Sequence, residues 1–141
     1  MILPDVNVLL HAFRKDVPDH PRYRDWLEEV VNADAAYGIS PQVLAGVIRI
    51  ATHPRIFKQP SRTESVTAFA FRLIDQPHCQ LIVPGSRHWN IFVDLCETAN
   101  AAANLVQDAW FAALAIESGC EWITVDQDFS RFHGLRWRTP F

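Results

Sequence analysis

Short apolar runs alternate along this chain with longer segments in which apolar residues recur every three or four positions. Short runs rich in branched and aromatic side chains favour β-strands, whereas the longer spacing favours amphipathic helices. Strands are therefore expected at residues 2–6, 36–40, 79–84 and 121–125, with 135–137 as a possible last edge strand. Helices are expected at residues 7–14, about 20–32, 41–52, 65–75, after Ser86 and at 105–118.

Several residues mark where the predicted helices begin and end. Ser40 followed by Pro41 is typical of a helix start, because serine caps free backbone N–H groups and proline fits the first helical position. Ser86 and Asn104 are expected to cap the last two helices, and Gly119 is expected to end the final one. Asp108 then falls in the first turn of that helix.

The alternation of strands and helices predicts the fold class. Strands separated by helices imply right-handed crossovers and a mostly parallel central sheet flanked by helices, which is a three-layer α/β sandwich. The sequence has no internal repeat, low-complexity tract or linker-like change in composition, so residues 1–141 are expected to form a single domain.

Composition and charge exclude several classes of protein. A net charge of -3 argues against a broadly basic surface, so any contact with nucleic acid needs local basic patches or bound cations. Cys79, Cys96 and Cys120 are odd in number and widely spaced, which argues against a disulfide framework and a zinc site. The sequence shows no signal peptide and no membrane-spanning run, so a cytoplasmic protein is expected, with no membrane partner.

Four aspartates are the candidate functional residues. Asp5 and Asp126 follow predicted strands, and Asp128 comes two residues later. Ligands collect at the carboxyl ends of parallel strands, and the helix of Asp108 leads into the strand before Asp126. We therefore expect Asp5, Asp108 and Asp126 to converge.

Each acid also has a purely structural explanation. Asp5 ahead of a helix can serve as an N-cap, and Asn7 as a turn residue. Asp108 in a first helical turn can simply favour the helix dipole. Asp126 and Asp128 can form a polar turn with an aspartate cap, although a turn explains one acid more naturally than both. Their combination with Asp5 is what favours a functional site.

A cluster of carboxylates indicates a hard metal ion. Clustered carboxylates repel one another, and without a cation one of them would hold a proton through a raised pKa. The candidate ligands are all oxygen atoms, which favours Mg²⁺ or Mn²⁺ over zinc. Such a centre suits hydrolysis of a phosphodiester, because the metal activates water and stabilises charge on phosphate oxygens.

Basic residues offer weaker signals. Arg49, on the helix beside the proposed cleft, and a cluster formed by Arg55, Lys58 and Arg62 could contact phosphates, although basic residues in a polar loop are usually just solvated. The same holds for three arginines near the C-terminus, namely Arg131, Arg136 and Arg138. No histidine forms a general-base pattern with a serine or cysteine nucleophile.

Four stretches lie in order across nearly the whole chain: "LPDVNVLLHAF", "SPQVLAGVIRIATHPRIF", "NLVQDAWFAALAIESG" and "WITVDQDFSRFHGLRW". Together they resemble the PIN-domain ribonuclease toxins of VapC type from bacterial toxin–antitoxin pairs. The resemblance implies a PIN-like sandwich and a Mg²⁺- or Mn²⁺-dependent endoribonuclease that cleaves structured RNA, such as tRNA or rRNA. It also implies a homodimer and a small VapB-type antitoxin whose tail enters the active-site groove.

The resemblance also assigns roles to the candidate residues. The catalytic and metal-binding acids of the family match Asp5, Asp108 and Asp126, and the accessory metal ligand matches Asp128. Asn7 matches a polar residue that helps to order the first acid.

One position departs from the family pattern. Many members carry a glutamate on the helix after the second strand, where this chain has Gly46, although a branch with a similar stretch lacks that acid too. Gln42, one turn earlier, is a possible neutral replacement. With fewer carboxylates the isolated protein is expected to bind metal weakly. The alternative function is a catalytically weak or inactive PIN-fold module that only binds an antitoxin or another partner.

Overall fold

Five short strands form two parallel sheets in a computed structural model that describes all 141 residues. One sheet has three strands in the order β1–β4–β5, and the other pairs β2 with β3. At Gly38 an added Cβ would lie 3.3 Å from the Ile2 carbonyl oxygen, so β2 lies close beside β1. The strands are β1 (Ile2–Pro4), β2 (Tyr37–Ile39), β3 (Cys79–Leu81), β4 (Glu121–Ile123) and β5 (Trp137–Arg138).

Six α-helices pack in two groups, and the predicted α/β sandwich with a mostly parallel sheet is confirmed. In one group α1 packs against α2 and α3, and α3 packs against α4; in the other, α5 packs against α6, which contacts β4. The helices are α1 (Val6–Phe13), α2 (His20–Asn32), α3 (Pro41–Ala51), α4 (Thr63–Ile74), α5 (His88–Thr98) and α6 (Asn104–Ser118), and a 3-10 helix spans Gln127–Arg131. None of the helices has the length and apolar character needed to cross a membrane.

The core beneath the strand ends is built from aromatic side chains and a small-residue helix face. Trp122 on β4 is fully buried, and its ring lies 5.4 Å from that of Phe111 on α6 and 5.4 Å from that of Phe129 in the 3-10 helix. Ala109 and Ala112 on α6 are also fully buried. Their small side chains allow α6 to lie close to the sheet, which fixes the position of neighbouring Asp108.

The predicted cap at Ser40 is confirmed, because its hydroxyl accepts hydrogen bonds from the backbone N–H groups of Gln42 and Val43. The cap predicted at Ser86 is wrong. Before α5, the Glu117 carboxylate accepts hydrogen bonds from the N–H groups of Gly85 and Arg87 instead. The Glu117 carboxylate on α6 thus accepts hydrogen bonds at this helix start in place of the Ser86 hydroxyl.

The cap predicted at Asn104 is also wrong. Ala103, with a positive φ of 53°, precedes the helix, and Asn104 is its first residue. Asp108 is therefore in the second turn of α6, outside the first turn where the sequence placed it. The first four strands are all shorter than predicted. The backbone turns into α1 at Asp5 and leaves β4 at Thr124.

Candidate active site

Asp5 lies at the junction of β1 and α1 with both carboxylate oxygens engaged. Its Oδ1 accepts a hydrogen bond from the Val6 N–H at 2.6 Å, as an N-cap does, and its backbone N–H donates to the Ile123 carbonyl. Its Oδ2 accepts from Asn7 Nδ2 at 2.9 Å and from Thr124 Oγ1 at 2.6 Å. Asp5 is 5% exposed, so the carboxylate is held rigidly inside the protein.

Thr124 joins the two strand ends, and sequence reasoning missed this role. The residue is fully buried. Its hydroxyl donates to Asp5 and accepts from Asn7 Nδ2 at 3.1 Å and from the Asp126 N–H at 3.0 Å. The sequence does hold a signal for this role, because Thr124 is a hydroxyl residue that ends an apolar strand and comes two positions before Asp126.

Asn7 connects the same two strand ends from the α1 side. Its amide nitrogen contacts Asp5 and Thr124, and its Oδ1 accepts a hydrogen bond from the Val125 N–H at 3.4 Å. Asn7 therefore orients the Asp5 carboxylate in this structure.

Asp108, Asp126 and Asp128 form a tight group of carboxylates. One carboxylate oxygen from each lies within 4.8 Å of the others, although the residues come from α6 and from the turn after β4. Asp5 lines the same pocket as Asp108 and Asp126 but is not a member of this group of three. Asp5, Asp108 and Asp126 therefore line one pocket at the ends of β1 and β4, and the exposed Asp128 joins it through its closeness to Asp108 and Asp126.

The turn after β4 explains why an apolar strand ends in two aspartates. Asp126 caps the 3-10 helix, and its Oδ1 accepts a hydrogen bond from the Asp128 N–H at 2.9 Å. Asp126 Oδ2 has no hydrogen-bond donor from the protein. The tight turn presents both carboxylates toward the Asp108 carboxylate, so the local cap and the acidic group are formed by the same residues.

Burial and mutual repulsion perturb two of these acids. Burial raises the pKa of Asp5 from 3.8 to about 6, against the lowering effect of its hydrogen bonds from Thr124 and Val6. Burial also raises the pKa of Asp108 from 3.8 to about 6, and the nearby charges of Asp126, Asp5 and Asp128 add to it. Asp108 makes no side-chain hydrogen bond or ion pair, so nothing in the protein compensates its charge.

These residues fit a hard divalent cation. The grouped donors are all carboxylate oxygens, which Mg²⁺ and Mn²⁺ prefer, and no cysteine or histidine belongs to the group. A cation would also offset the mutual repulsion that adds to the effect of burial on the pKa of Asp108. Asp108, Asp126 and Asp128 are the residues that could share such an ion, with Asp5 beside them.

Gly46 lies where α3 crosses the start of α1. An added Cβ at Gly46 would lie 2.9 Å from Val6 Cγ2, so a glutamate at this position would require Val6 to move. Gln42 lies on the same side of α3 and lines a cleft next to the acidic pocket, but it does not line that pocket. Glycine at position 46 thus allows the Val6 side chain at the start of α1 to pack closely against α3.

The basic residues noted from the sequence differ in what their side chains contact. Arg49 lines the acidic pocket, and its side chain makes no hydrogen bond or ion pair. Arg136 instead donates to the Gly119 carbonyl, and Arg138 pairs with Glu121 at 3.1 Å, so both are engaged in structural contacts. Among the arginines noted from the sequence, only Arg49 faces this pocket.

Comparison with known proteins places the chain in a family. The PIN domain family matches residues 2–135. "VapC ribonuclease Mb2897" of Mycobacterium bovis is 39% identical, over 99% of this chain and 95% of that protein. "Ribonuclease VapC25" of Mycobacterium tuberculosis is 38% identical, over 99% of both chains. A solved toxin–antitoxin complex from Klebsiella pneumoniae shares the fold, with a TM-score of 0.66 and 20% identity over 100% of this chain and 98% of that one. The chain therefore belongs to the PIN-domain family, within its VapC group.

Proposed function

We propose that this protein is a metal-dependent endoribonuclease that acts as the toxin of a toxin–antitoxin pair. The observation that carries the proposal is the group formed by Asp108, Asp126 and Asp128, with the buried Asp5 in the pocket that Asp108 and Asp126 line. Relatives named ribonucleases are 38% and 39% identical over 99% of this chain, which supports RNA as the substrate. Structured RNA, such as tRNA or rRNA, is the proposed target class.

Mg²⁺ or Mn²⁺ is the proposed cofactor, held by Asp108, Asp126 and Asp128 with Asp5 beside them. When bound, such an ion supplies an activated water and neutralises charge on the phosphate. The chain itself orients the carboxylates. Thr124 and Asn7 donate hydrogen bonds to the Asp5 carboxylate, and the Asp128 N–H donates one to the Asp126 carboxylate. Because these acids are preorganised, little reorganisation is needed when an anionic substrate arrives.

The proposed protein partners are an antitoxin and a second copy of this chain. A VapB-type antitoxin is supported by the VapC relatives and by the shared fold of a known toxin–antitoxin complex. Its tail would block cleavage by entering the acidic pocket. A homodimer follows from the family resemblance, and a monomeric mass in light scattering of the purified protein would contradict it.

Incubation of the purified protein, freed of antitoxin, with total RNA and Mg²⁺ or Mn²⁺ tests the function. We expect cleavage by the wild-type protein and none by Asp5→Asn or Asp108→Asn. Asp34→Asn, which removes the same charge from an exposed loop, serves as the control and should cleave normally. Equal cleavage by all four proteins would refute the site assignment, and no cleavage by any would favour the partner-binding module.

A further inference from the structure

A second cleft adjoins the acidic pocket between α1, α3 and α6. It has a volume of about 250 Å³, and Gly46 and Gln42 belong to its lining. Val6, Arg49 and Gln107 line both this cleft and the acidic pocket, so the two are continuous. We call the region around Gln42, Gly46, Arg49 and Gln107 the flanking cleft.

The polar groups of the flanking cleft are not used by the fold. The side chains of Gln42, Arg49 and Gln107 are exposed and make no hydrogen bond or ion pair within the protein. Arg49 lies beside a pocket of repelling carboxylates and yet forms no ion pair with any of them. Three donor-bearing side chains therefore remain free to contact a ligand.

We propose that the flanking cleft binds the nucleotide next to the cleaved phosphate, with its base at Gln42 and Gln107 and its phosphate at Arg49. This proposal rests on the proposed function and deepens it by assigning a specificity site. Amide side chains offer both donors and acceptors, which suits the edge of an unstacked RNA base. Arginine suits a phosphate, because its planar group can donate two parallel hydrogen bonds.

The size and charge of the cleft favour one nucleotide over other occupants. Clefts that hold drug-sized molecules are typically ~300–1,000 Å³, so a cleft of about 250 Å³ suits a single base. Its only charged lining residue is Arg49, whereas the adjoining pocket is acidic. An anionic strand that crosses both regions would meet a cation in the pocket and Arg49 in the cleft.

Gly46 keeps the cleft accessible. It lies in the lining between Gln42 and Arg49, and it has no side chain to occupy the space. Its Cα also lies too close to Val6 for an added Cβ to fit without a shift. Gly46 thus adds no side-chain bulk to the cleft between Gln42 and Arg49.

The binding test uses nuclear magnetic resonance of the whole protein with the four ribonucleoside 5′-monophosphates at millimolar concentration. We expect shifts of the side-chain amide signals of Gln42 and Gln107 and of the Arg49 guanidinium signal. Arg49→Ala should abolish the shifts of the Gln42 and Gln107 amide signals, whereas Arg72→Ala should preserve all of the shifts. Arg72 is a matched control, because it is also exposed and unpaired but lines a cleft beside Phe13 at the other end of α1.

The cleavage test uses a degenerate RNA library, with cut sites read by sequencing. Gln42→Ala and Gln107→Ala should change the base preferred at one position beside the cut, while Arg49→Ala should raise KM about tenfold with little change in kcat. The slope of log(kcat/KM) against log salt should fall by about 0.7 on loss of one phosphate contact to a single strand.

The outcomes separate this inference from the proposed function. Unchanged cut-site preference in both glutamine variants, or no nucleotide-dependent shift at the cleft, would overturn the flanking-cleft proposal even if the protein cleaves RNA. Nucleotide-dependent shifts without any cleavage would support the cleft and refute the nuclease assignment. If Gln42→Ala, Gln107→Ala and Arg49→Ala cleave RNA like the wild type but bind an antitoxin more weakly, the cleft binds a protein partner. That result would also overturn the proposal.

Discussion

Removal of one charge from the acidic pocket should stabilise the metal-free protein. Asp108 is the best position for this change, because its carboxylate makes no hydrogen bond that asparagine would lose. Asparagine and aspartate have similar helix propensities, so Asp108→Asn leaves α6 intact. The variant therefore isolates the cost of holding a negative charge that is partly buried and lies among other carboxylates.

The magnitude follows from the raised pKa. A rise in the pKa of Asp108 from 3.8 to about 6 corresponds to roughly 3 kcal/mol at neutral pH if none of the interaction is screened. The side chain is about half-buried, so solvent screening reduces the expected gain to roughly 1–2 kcal/mol. For a chain of this length that gain corresponds to about 3–8 °C in Tm.

Thermal and urea unfolding at pH 7.5 in chelator measure this gain. Asp108→Asn should unfold at higher temperature than the wild-type protein, and Asp34→Asn, on an exposed loop, should match the wild type. At pH 4 the advantage should shrink, because the wild-type Asp108 carboxyl is then largely protonated in the folded state. Added Mg²⁺ should stabilise the wild type and leave Asp108→Asn nearly unchanged.

A lower Tm for Asp108→Asn in chelator would refute this reasoning. That result would mean that the Asp108 carboxylate is compensated by a contact inside the folded protein rather than repelled by its neighbours. Stabilisation by Mg²⁺ that is equal in Asp108→Asn and the wild type would show that the cation binds elsewhere.

Four further outcomes are expected. Because the folded-state pKa of Asp5 is raised to about 6, its contribution to metal-free stability should be fully present below about pH 4 and should be lost, by roughly 3 kcal/mol, as the pH rises through 6. Urea unfolding of the wild type against Asp5→Asn measures this contribution, and a difference that does not change with pH would contradict the raised pKa. Thr124→Val should cost about 1–3 kcal/mol in urea unfolding and reduce cleavage, while Thr124→Ser should retain both, since only valine leaves Asp5 without its hydroxyl donor. Gly46→Glu should destabilise the protein by more than 1 kcal/mol without increasing cleavage, because its Cβ would meet Val6 at 2.9 Å, and a more active variant would show that α1 and α3 separate easily. Calorimetric titration of the isolated protein should give weak Mg²⁺ binding at one site, and tight binding of two ions without RNA would contradict this.

The sequence allowed prediction of features that depend on neighbouring residues. Ser40 and Pro41 are adjacent to the helix that they start, and the structure confirms both. The turn at Asp126 and Asp128 is also local, because one aspartate accepts the backbone N–H of the other. The apolar strand before it identified the sheet edge at which these acids lie.

The convergence of Asp5, Asp108 and Asp126 was predicted from the strand ends, but several other features that depend on distant residues were missed or wrong. The α5 start lacks its predicted serine cap because Glu117, thirty-two residues after Gly85, supplies the acceptor. The role of Thr124 was not predicted, because its partners Asp5 and Asn7 are more than a hundred residues away in sequence. The position of Gly46 against Val6 likewise reflects helix packing, which no local pattern encodes.

The hydrogen bond between Thr124 and Asp5 spans 119 residues, and this separation has a consequence for synthesis. Since Asp126 and Asp128 lie near the C-terminus, a nascent chain on the ribosome carries Asp5 long before its partners are translated. A prematurely terminated product that ends before Thr124 would contain all six α-helices in sequence but would be inert. Under the proposed function, an incomplete chain therefore cannot cleave RNA, because the residues of the proposed site come from both ends of the sequence.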